Sequence, residues 1–236
     1  MSHDFFRNRS GMGSIPQLSP VVPTFFLTKN LTFASSAELT DNFTQALGTG
    51  ASQNVASSLL QFRNANYDQN NGITAKWTMT KMLSFKTRAL WYCYGSSASY
   101  NYPTLLTVDV LNASNVKITT FRIIVGFNYT YYSSNWEYWN SGYTSWQLGT
   151  DPMNQSIAIA KRLATAPSQN AFHDYEVVDV GGGYVQYKLD GVNTGAPMYL
   201  GDPTYKLGGV YSFSPLGGWY NNQMNCDVDS LIFTYL

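Results

Sequence analysis

Phe172-His173-Asp174-Tyr175-Glu176-Val177-Val178, a glycine break at Gly181–Gly183, and Tyr184-Val185-Gln186-Tyr187-Lys188-Leu189-Asp190-Gly191-Val192 make up the stretch whose pattern decides the fold. Two runs of aromatic and β-branched residues around a glycine break read as antiparallel strands joined by a turn. In the second run Tyr184, Gln186 and Lys188 share one side of a strand, and Val185, Tyr187 and Leu189 the other. Asp190-Gly191 then supplies a strong turn signal, because this dipeptide accepts positive φ at both central positions. In the first run Asp174 and Glu176, two apart, share a face.

The same texture extends in both directions. Residues 58–63, 74–79, 83–94, 104–111, 116–126, 209–213 and 228–235 all alternate or carry β-branched enrichment, between turns rich in Asn, Gly, Ser and Pro. In 104–111, Leu106, Val108 and Val110 point one way and Leu105, Thr107 and Asp109 the other. In 116–125, Val116, Ile118, Thr120, Arg122 and Ile124 share a face. Residues 25–33 read as a strand with a turn-like Lys29-Asn30 inside. The best helix is predicted over 36–47: Ser35 and Glu38 have capping-box spacing, and Leu39, Phe43, Ala46 and Leu47 fall on one face before Gly48 and Gly50. Residues 154–166 fit a short helix or a strand. With no repeat and no dividing linker, residues 25–236 are expected to form one all-β sandwich with one or two short helices.

Composition narrows the function classes. The chain has 236 residues, 44% of them hydrophobic, enough for a substantial core. Only 12% are charged, and Lys plus Arg (14) balances Asp plus Glu (14). Such a chain lacks the basic face that displaces counterions from nucleic acid, so no nucleic-acid partner is expected. No run is long enough for a membrane-spanning helix, and residues 1–16 lack the apolar core of a secretory signal. Asn30, Asn42, Asn112 and Asn128 each begin an Asn-x-Ser/Thr triplet, read here as chance matches in an Asn- and Thr-rich chain. Cys93 lies in an apolar run and reads as a buried thiol. A Cys93–Cys226 bridge is the alternative if the strands bearing them pair.

Residues 1–24 read as an extended arm. Gly11, Gly13, Pro16, Pro20 and Pro23 exclude regular structure, while Phe5, Phe6, Ile15 and Leu18, with Arg7 and Arg9, suit docking on the chain's own domain or on a neighbour.

The paired runs at 172–192 resemble strands of the concanavalin A-like lectin/glucanase superfamily, including laminin G-like domains. There an aromatic-His strand start leads into a hairpin whose second strand ends in Asp-Gly. Asn225-Cys226-Asp227-Val228-Asp229-Ser230-Leu231-Ile232-Phe233 is similar to that superfamily's last strand, and residues 59–85, with Trp77 and Phe85, to its opening strands. The resemblance covers about two thirds of the chain and implies a two-sheet antiparallel jelly roll. It assigns no function, because the fold hosts lectins, hydrolases and structural modules.

Candidate chemistry is sparse. Glycoside hydrolysis needs two carboxyl groups flanking the scissile bond. Hydrolases of the superfamily carry a Glu-x-Asp-x-x-Glu type motif on an earlier strand, and this chain has no such motif. Asp174 and Glu176 read instead as solvent-facing strand charges. His173 lacks a nucleophile partner and reads as structural. Asp227 and Asp229 are weak calcium candidates, with turn capping the plainer role, so no cofactor is expected. Residues 128–146 are the most unusual stretch. Trp136, Tyr138, Trp139, Tyr143 and Trp146, spaced by Ser, Asn and Gly, suit core or rim packing, a protein interface, or stacking under sugar rings. Trp219 and Tyr220 form a second such loop.

These features lead to an expected non-enzymatic subunit of a large assembly, a virion or surface-appendage protein made in the cytoplasm and docked to other subunits through its arm. The alternative is a carbohydrate-binding module or lectin for surface glycans, and the third reading is a glycoside hydrolase.

Overall fold

The computed structural model describes residues 25–64, 71–94, 104–128, 141–148, 161–165, 171–216 and 223–236. In chain order the elements are β1 (Leu27–Leu31), α1 (Ser36–Asn42), β2 (Phe43–Leu47), β3 (Ala51–Ala56), β4 (Leu59–Asn64), β5 (Asn71–Ala75), β6 (Met82–Tyr94), β7 (Thr104–Leu111), β8 (Lys117–Asn128), β9 (Ser141–Leu148), β10 (Lys161–Thr165), β11 (His173–Gly181), β12 (Tyr184–Leu189), β13 (Val192–Asn193), β14 (Met198–Tyr199), β15 (Lys206–Leu216) and β16 (Gln223–Tyr235).

Two antiparallel sheets form the sandwich. The first has nine strands in the order β13-β12-β11-β6-β16-β4-β3, with β1 added on β16 and β14 on β12. The second has seven, in the order β10-β9-β8-β7-β15-β5-β2. The chain changes sheet between β1 and β2, β2 and β3, β4 and β5, β5 and β6, β6 and β7, β10 and β11, β14 and β15, and β15 and β16. That is the criss-crossing path of a jelly roll. Apolar residues from both inner faces meet in one core, among them Phe33, Phe62, Phe85, Phe121, Tyr187, Phe213 and Phe233.

The hairpin at 172–192 forms as read. β11 and β12 pair antiparallel around the glycine turn, with Val177 opposite Tyr187. Asp190 and Gly191 both take positive φ (50° and 78°), and Leu189 pairs with Val192 across them. This two-residue turn matches the right-handed twist of its strands.

The predicted helix is shorter than its apolar face suggests. It ends at Asn42, and Phe43 enters β2 with an extended backbone (φ −133°). Pairing of Phe43 with Ala75 on β5 and complete burial of its ring outweigh the helical periodicity. The capping box does not close either: the Ser35 side chain makes no cap bond. The Glu38 carboxylate reaches further back and accepts from the Thr32 and Phe33 N–H groups (3.0 and 2.7 Å). That pair of bonds steadies Phe33 at φ 52°, a left-handed conformation rare for an aromatic residue.

Three other readings shift. Lys29 and Asn30 lie inside β1, paired with Phe233 and Ile232. The strand expected at 74–79 is β5 at 71–75, and Met79 makes an isolated bridge to Gly209. Leu105 is buried with Leu106, because the β7–β8 register slips between Thr104 and Leu106. Within 154–166 the described part is the strand β10. The strands bearing the cysteines do pair, but with Cys93 opposite Met224 and Cys226 opposite Trp91. Cys226 is a free, buried thiol, so the alternative bridge is not formed. Among the described residues no helix is long and apolar enough to cross a membrane. The arm, with Phe5, Phe6, Arg7, Arg9, Ile15 and Leu18, lies outside the described residues.

Candidate functional site

The outer face of the second sheet is built by alternation. Phe43, Ile73, Phe213, Val108 and Phe121 face the core, so their strand neighbours Thr44, Thr74, Ser212, Thr107 and Arg122 face outward. Register then sets these five side by side. Thr44 is opposite Thr74, Thr74 opposite Ser212, Ser212 opposite Thr107, and Thr107 opposite Arg122. The row crosses β2, β5, β15, β7 and β8, and four steps of about 4.8 Å give it a span of about 19 Å. The Thr74 and Ser212 hydroxyls are 3.3 Å apart, and Ser212 and Thr107 are partly exposed. Arg122 brings the row its one guanidinium and lies opposite Gln147 of β9.

A single described carboxylate, Asp109, stands on this face beside the row, held by Lys117 at 2.6 Å. Gly209, at φ 77°, lies against it: a side chain there would meet the Asp109 carboxylate at 2.9 Å.

β9 carries two residues of the aromatic stretch next to this row. Trp146 is registered with Ile123 of β8 and Lys161 of β10, and Tyr143 with Gly126 and Thr165. Trp136, Tyr138, Trp139, Trp219 and Tyr220 lie outside the described residues.

The acidic residues singled out in the sequence are elsewhere. Asp174 and Glu176 share the outer face of the first sheet, as read, but inside a cross-strand charge ladder. Asp174 meets Lys86 at 2.8 Å and Arg88 at 3.3 Å, and Glu176 meets Lys188 at 3.5 Å. Cross-strand pairs of this kind support a sheet face. The calcium candidates face cations too. Asp227 is buried against Arg63 at 2.6 Å, and the half-buried Asp229 lies 3.9 Å from Arg88. Among the described residues no three His, Cys, Asp or Glu side chains gather as a metal site would require.

His173 pairs with the turn residue Asp190. Its Nδ1 lies 2.8 Å from Asp190 Oδ2, while Asp190 Oδ1 accepts from the Asp174 N–H at 2.9 Å. Burial pushes the Asp190 carboxyl up, but the backbone bond from Asp174 and the hydrogen bond and charge of His173 outweigh it and hold the carboxyl below its ordinary value. A group depressed on folding stabilises the fold above its unfolded pKa, about 3.9, and loses that contribution as pH falls through the folded value. The Asp190 side chain is half exposed, so water screens the effect to about 1 kcal/mol or less. Asp190→Asn keeps a residue suited to the left-handed turn while removing the charge. Urea melts are expected to show it less stable than the parent at pH 7 and by a smaller margin near pH 3. An equal gap at both values would remove the carboxylate from the account.

No family model matches the chain, and no curated protein matches it in sequence. Solved structures match it in shape. A Bacillus licheniformis β-glucanase aligns over 87% of this chain and 97% of its own, at TM-score 0.55 and 10% identity. A Crh5 transglycosylase in complex with NAG aligns over 87% and 83%, at 0.55 and 14%. The κ-carrageenase of Pseudoalteromonas carrageenovora, solved with an oligotetrasaccharide of κ-carrageenan, aligns over 94% and 99%, at 0.52 and 10%. The expectation of a non-enzymatic chain rested on a missing motif, and these likenesses overturn it. A glucanase, a carrageenase and a transglycosylase share the sandwich, so a missing local pattern does not set the chain apart from enzymes. What these likenesses establish is the fold: a two-sheet antiparallel jelly roll, the architecture that the resemblance of residues 172–192 implies.

Proposed function

We propose that this chain is a carbohydrate-handling jelly roll that lays a polysaccharide across the outer face of its second sheet. The observation that carries the reading is the row Thr44–Thr74–Ser212–Thr107–Arg122. Hydroxyls that both donate and accept, ending in a guanidinium with five fixed donors, match the hydroxyl-rich edge of a sugar chain. The row runs across the strands, so an extended polymer meets one side chain at each strand spacing. The aromatic stretch ends on the adjoining strand, where Tyr143 is registered opposite Gly126 at an outward position of β8, and it supplies the residue type that stacks on sugar rings. The structures similar in fold act on polysaccharides, which favours the glycan alternative over a particle subunit.

Affinity electrophoresis in gels containing β-glucan or κ-carrageenan tests the reading, with release of reducing ends measured on the same polymers. The parent chain is expected to be retarded by at least one polymer. Thr107→Ala/Arg122→Ala is expected to weaken retention tenfold or more, about the loss of one charge-assisted hydrogen bond. Unretarded migration in both gels without reducing-end release, or full retention by the double variant, would overturn the placement of the site.

A further inference from the structure

We infer that Tyr184 and Tyr199 form a second carbohydrate-stacking site on the opposite sheet. The ligand class rests on the function proposed above, but the site does not share a residue with the hydroxyl row.

Tyr184 starts β12 and pairs with Tyr199 of β14, and the next pair is Val185 with Met198. Val185 and Met198 are buried in the core, so the tyrosines point outward from the first sheet. Their rings lie side by side, with centroids 4.7 Å apart and planes at 36°. They remain 42% and 41% exposed. An aromatic pair is usually buried, and this one keeps about two fifths of its surface open to water.

The backbone beneath the rings is fixed. Gly183 has φ 72°, and a Cβ there would overlap the Asp202 carbonyl, so the turn and the 200–205 loop interlock. The Leu200 N–H donates to the Gly183 carbonyl at 2.8 Å. Asp202 Oδ1 accepts from both the N–H (2.8 Å) and the hydroxyl (2.6 Å) of Thr204, which stiffens the loop. The two rings thus sit on a rigid base with a carboxylate and a hydroxyl at the rim. Rigid aromatic surface of this kind binds at low entropy cost.

Area decides between a sugar and a protein partner. A tyrosine carries roughly 150–250 Å² of buriable surface, so two rings at these exposures offer on the order of 150–200 Å². A stable protein interface needs about 800 Å² from each partner. One or two sugar rings are covered by far less, and a sugar also uses the flanking Asp202 and Thr204 as hydrogen-bonding groups.

Two sites on opposite sheets make the chain bivalent, so it should cross-link a polymer in solution. The test mixes the intact protein with soluble β-glucan and, separately, with κ-carrageenan, and reads light scattering alongside affinity electrophoresis. The parent is expected to raise scattering with the polymer that retards it. Tyr184→Ala/Tyr199→Ala is expected to stay retarded through the hydroxyl row but to lose the rise, with an unchanged melting temperature. Tyr184→Phe/Tyr199→Phe keeps the ring faces and should restore it. Undiminished scattering by the alanine pair would overturn the second site and leave the hydroxyl row standing. Loss of all retardation in the alanine pair, with Thr107→Ala/Arg122→Ala fully retained, would overturn the row and keep the tyrosines. An absence of scattering from the parent in the polymer that retards it would also overturn the second site.

Discussion

Replacing Tyr211 with alanine is expected to cost about 4 kcal/mol of stability, the usual toll for deleting a fully buried aromatic ring. Tyr211 belongs to the second sheet, on β15, yet its ring lies among rings from both. Phe85 of β6 is 5.3 Å away and Phe233 of β16 is 4.8 Å away, the latter edge-on at 68°. Phe43 and Phe213 of its own sheet flank it at 6.5 and 6.4 Å. The cavity left by alanine would be walled by strands already locked in ladders, so little collapse can refill it. The hydroxyl is a smaller matter. It donates to the Leu105 carbonyl at 3.3 Å, and burial pushes its pKa far up, so it stays protonated at any working pH. Tyr211→Phe should therefore cost about 1 kcal/mol. For a chain of this size the alanine variant should melt roughly 10 °C lower. A loss below about 1 kcal/mol in denaturant melts would mean that the sheets do not pack around this ring.

What could be read in the sequence was what local chemistry decides. The hairpin at 172–192 needed only a two-residue turn and an alternating strand, both visible within a dozen residues. β2 was hidden because Leu39, Phe43, Ala46 and Leu47 also fit a helical face, and only pairing with β5 decides against it. β3, Ala51–Ala56, shows no apolar alternation, since it closes one edge of the first sheet and is only partly buried. The candidate site was illegible for a similar reason. Thr44, Thr74, Thr107, Arg122 and Ser212 come from five strands far apart in the chain, and Thr and Ser are ordinary strand residues. Only register makes a row of them. The expectation of a non-enzyme failed on the same ground. It treated the lack of a contiguous motif as decisive, when a jelly roll gathers its surface groups across strands.

Asn71 gives the second large effect, because it fastens one sheet to the other at the edge where β3 and β5 approach. It sits on β5 of the second sheet, fully buried. Its Nδ2 group donates to the Ser52 carbonyl of β3 and the Arg63 carbonyl of β4, both at 3.1 Å. Its Oδ1 accepts from Gln53 Nε2 at 2.8 Å, and that same amide donates to the Gly72 carbonyl at 2.7 Å. Asn71→Ala removes three bonds at once and strips two carbonyls of a donor in a site with little water. Each such group costs about 1–3 kcal/mol when its partner goes, and partial relaxation brings the expected total to about 3 kcal/mol. Asn71→Leu fills the space but satisfies no carbonyl, so it should not recover the loss. Asn71→Asp keeps the acceptor for Gln53, yet buries a charge facing two carbonyl oxygens, and should be the worst of the three. The decisive measurement is a double-mutant cycle with Gln53→Ala in denaturant melts. Because the two amides act as one clip, the double variant should lose about 1 kcal/mol less than the sum of the singles. Strict additivity would mean that each side chain works alone, and that the sheets are held at this edge by the core beneath it.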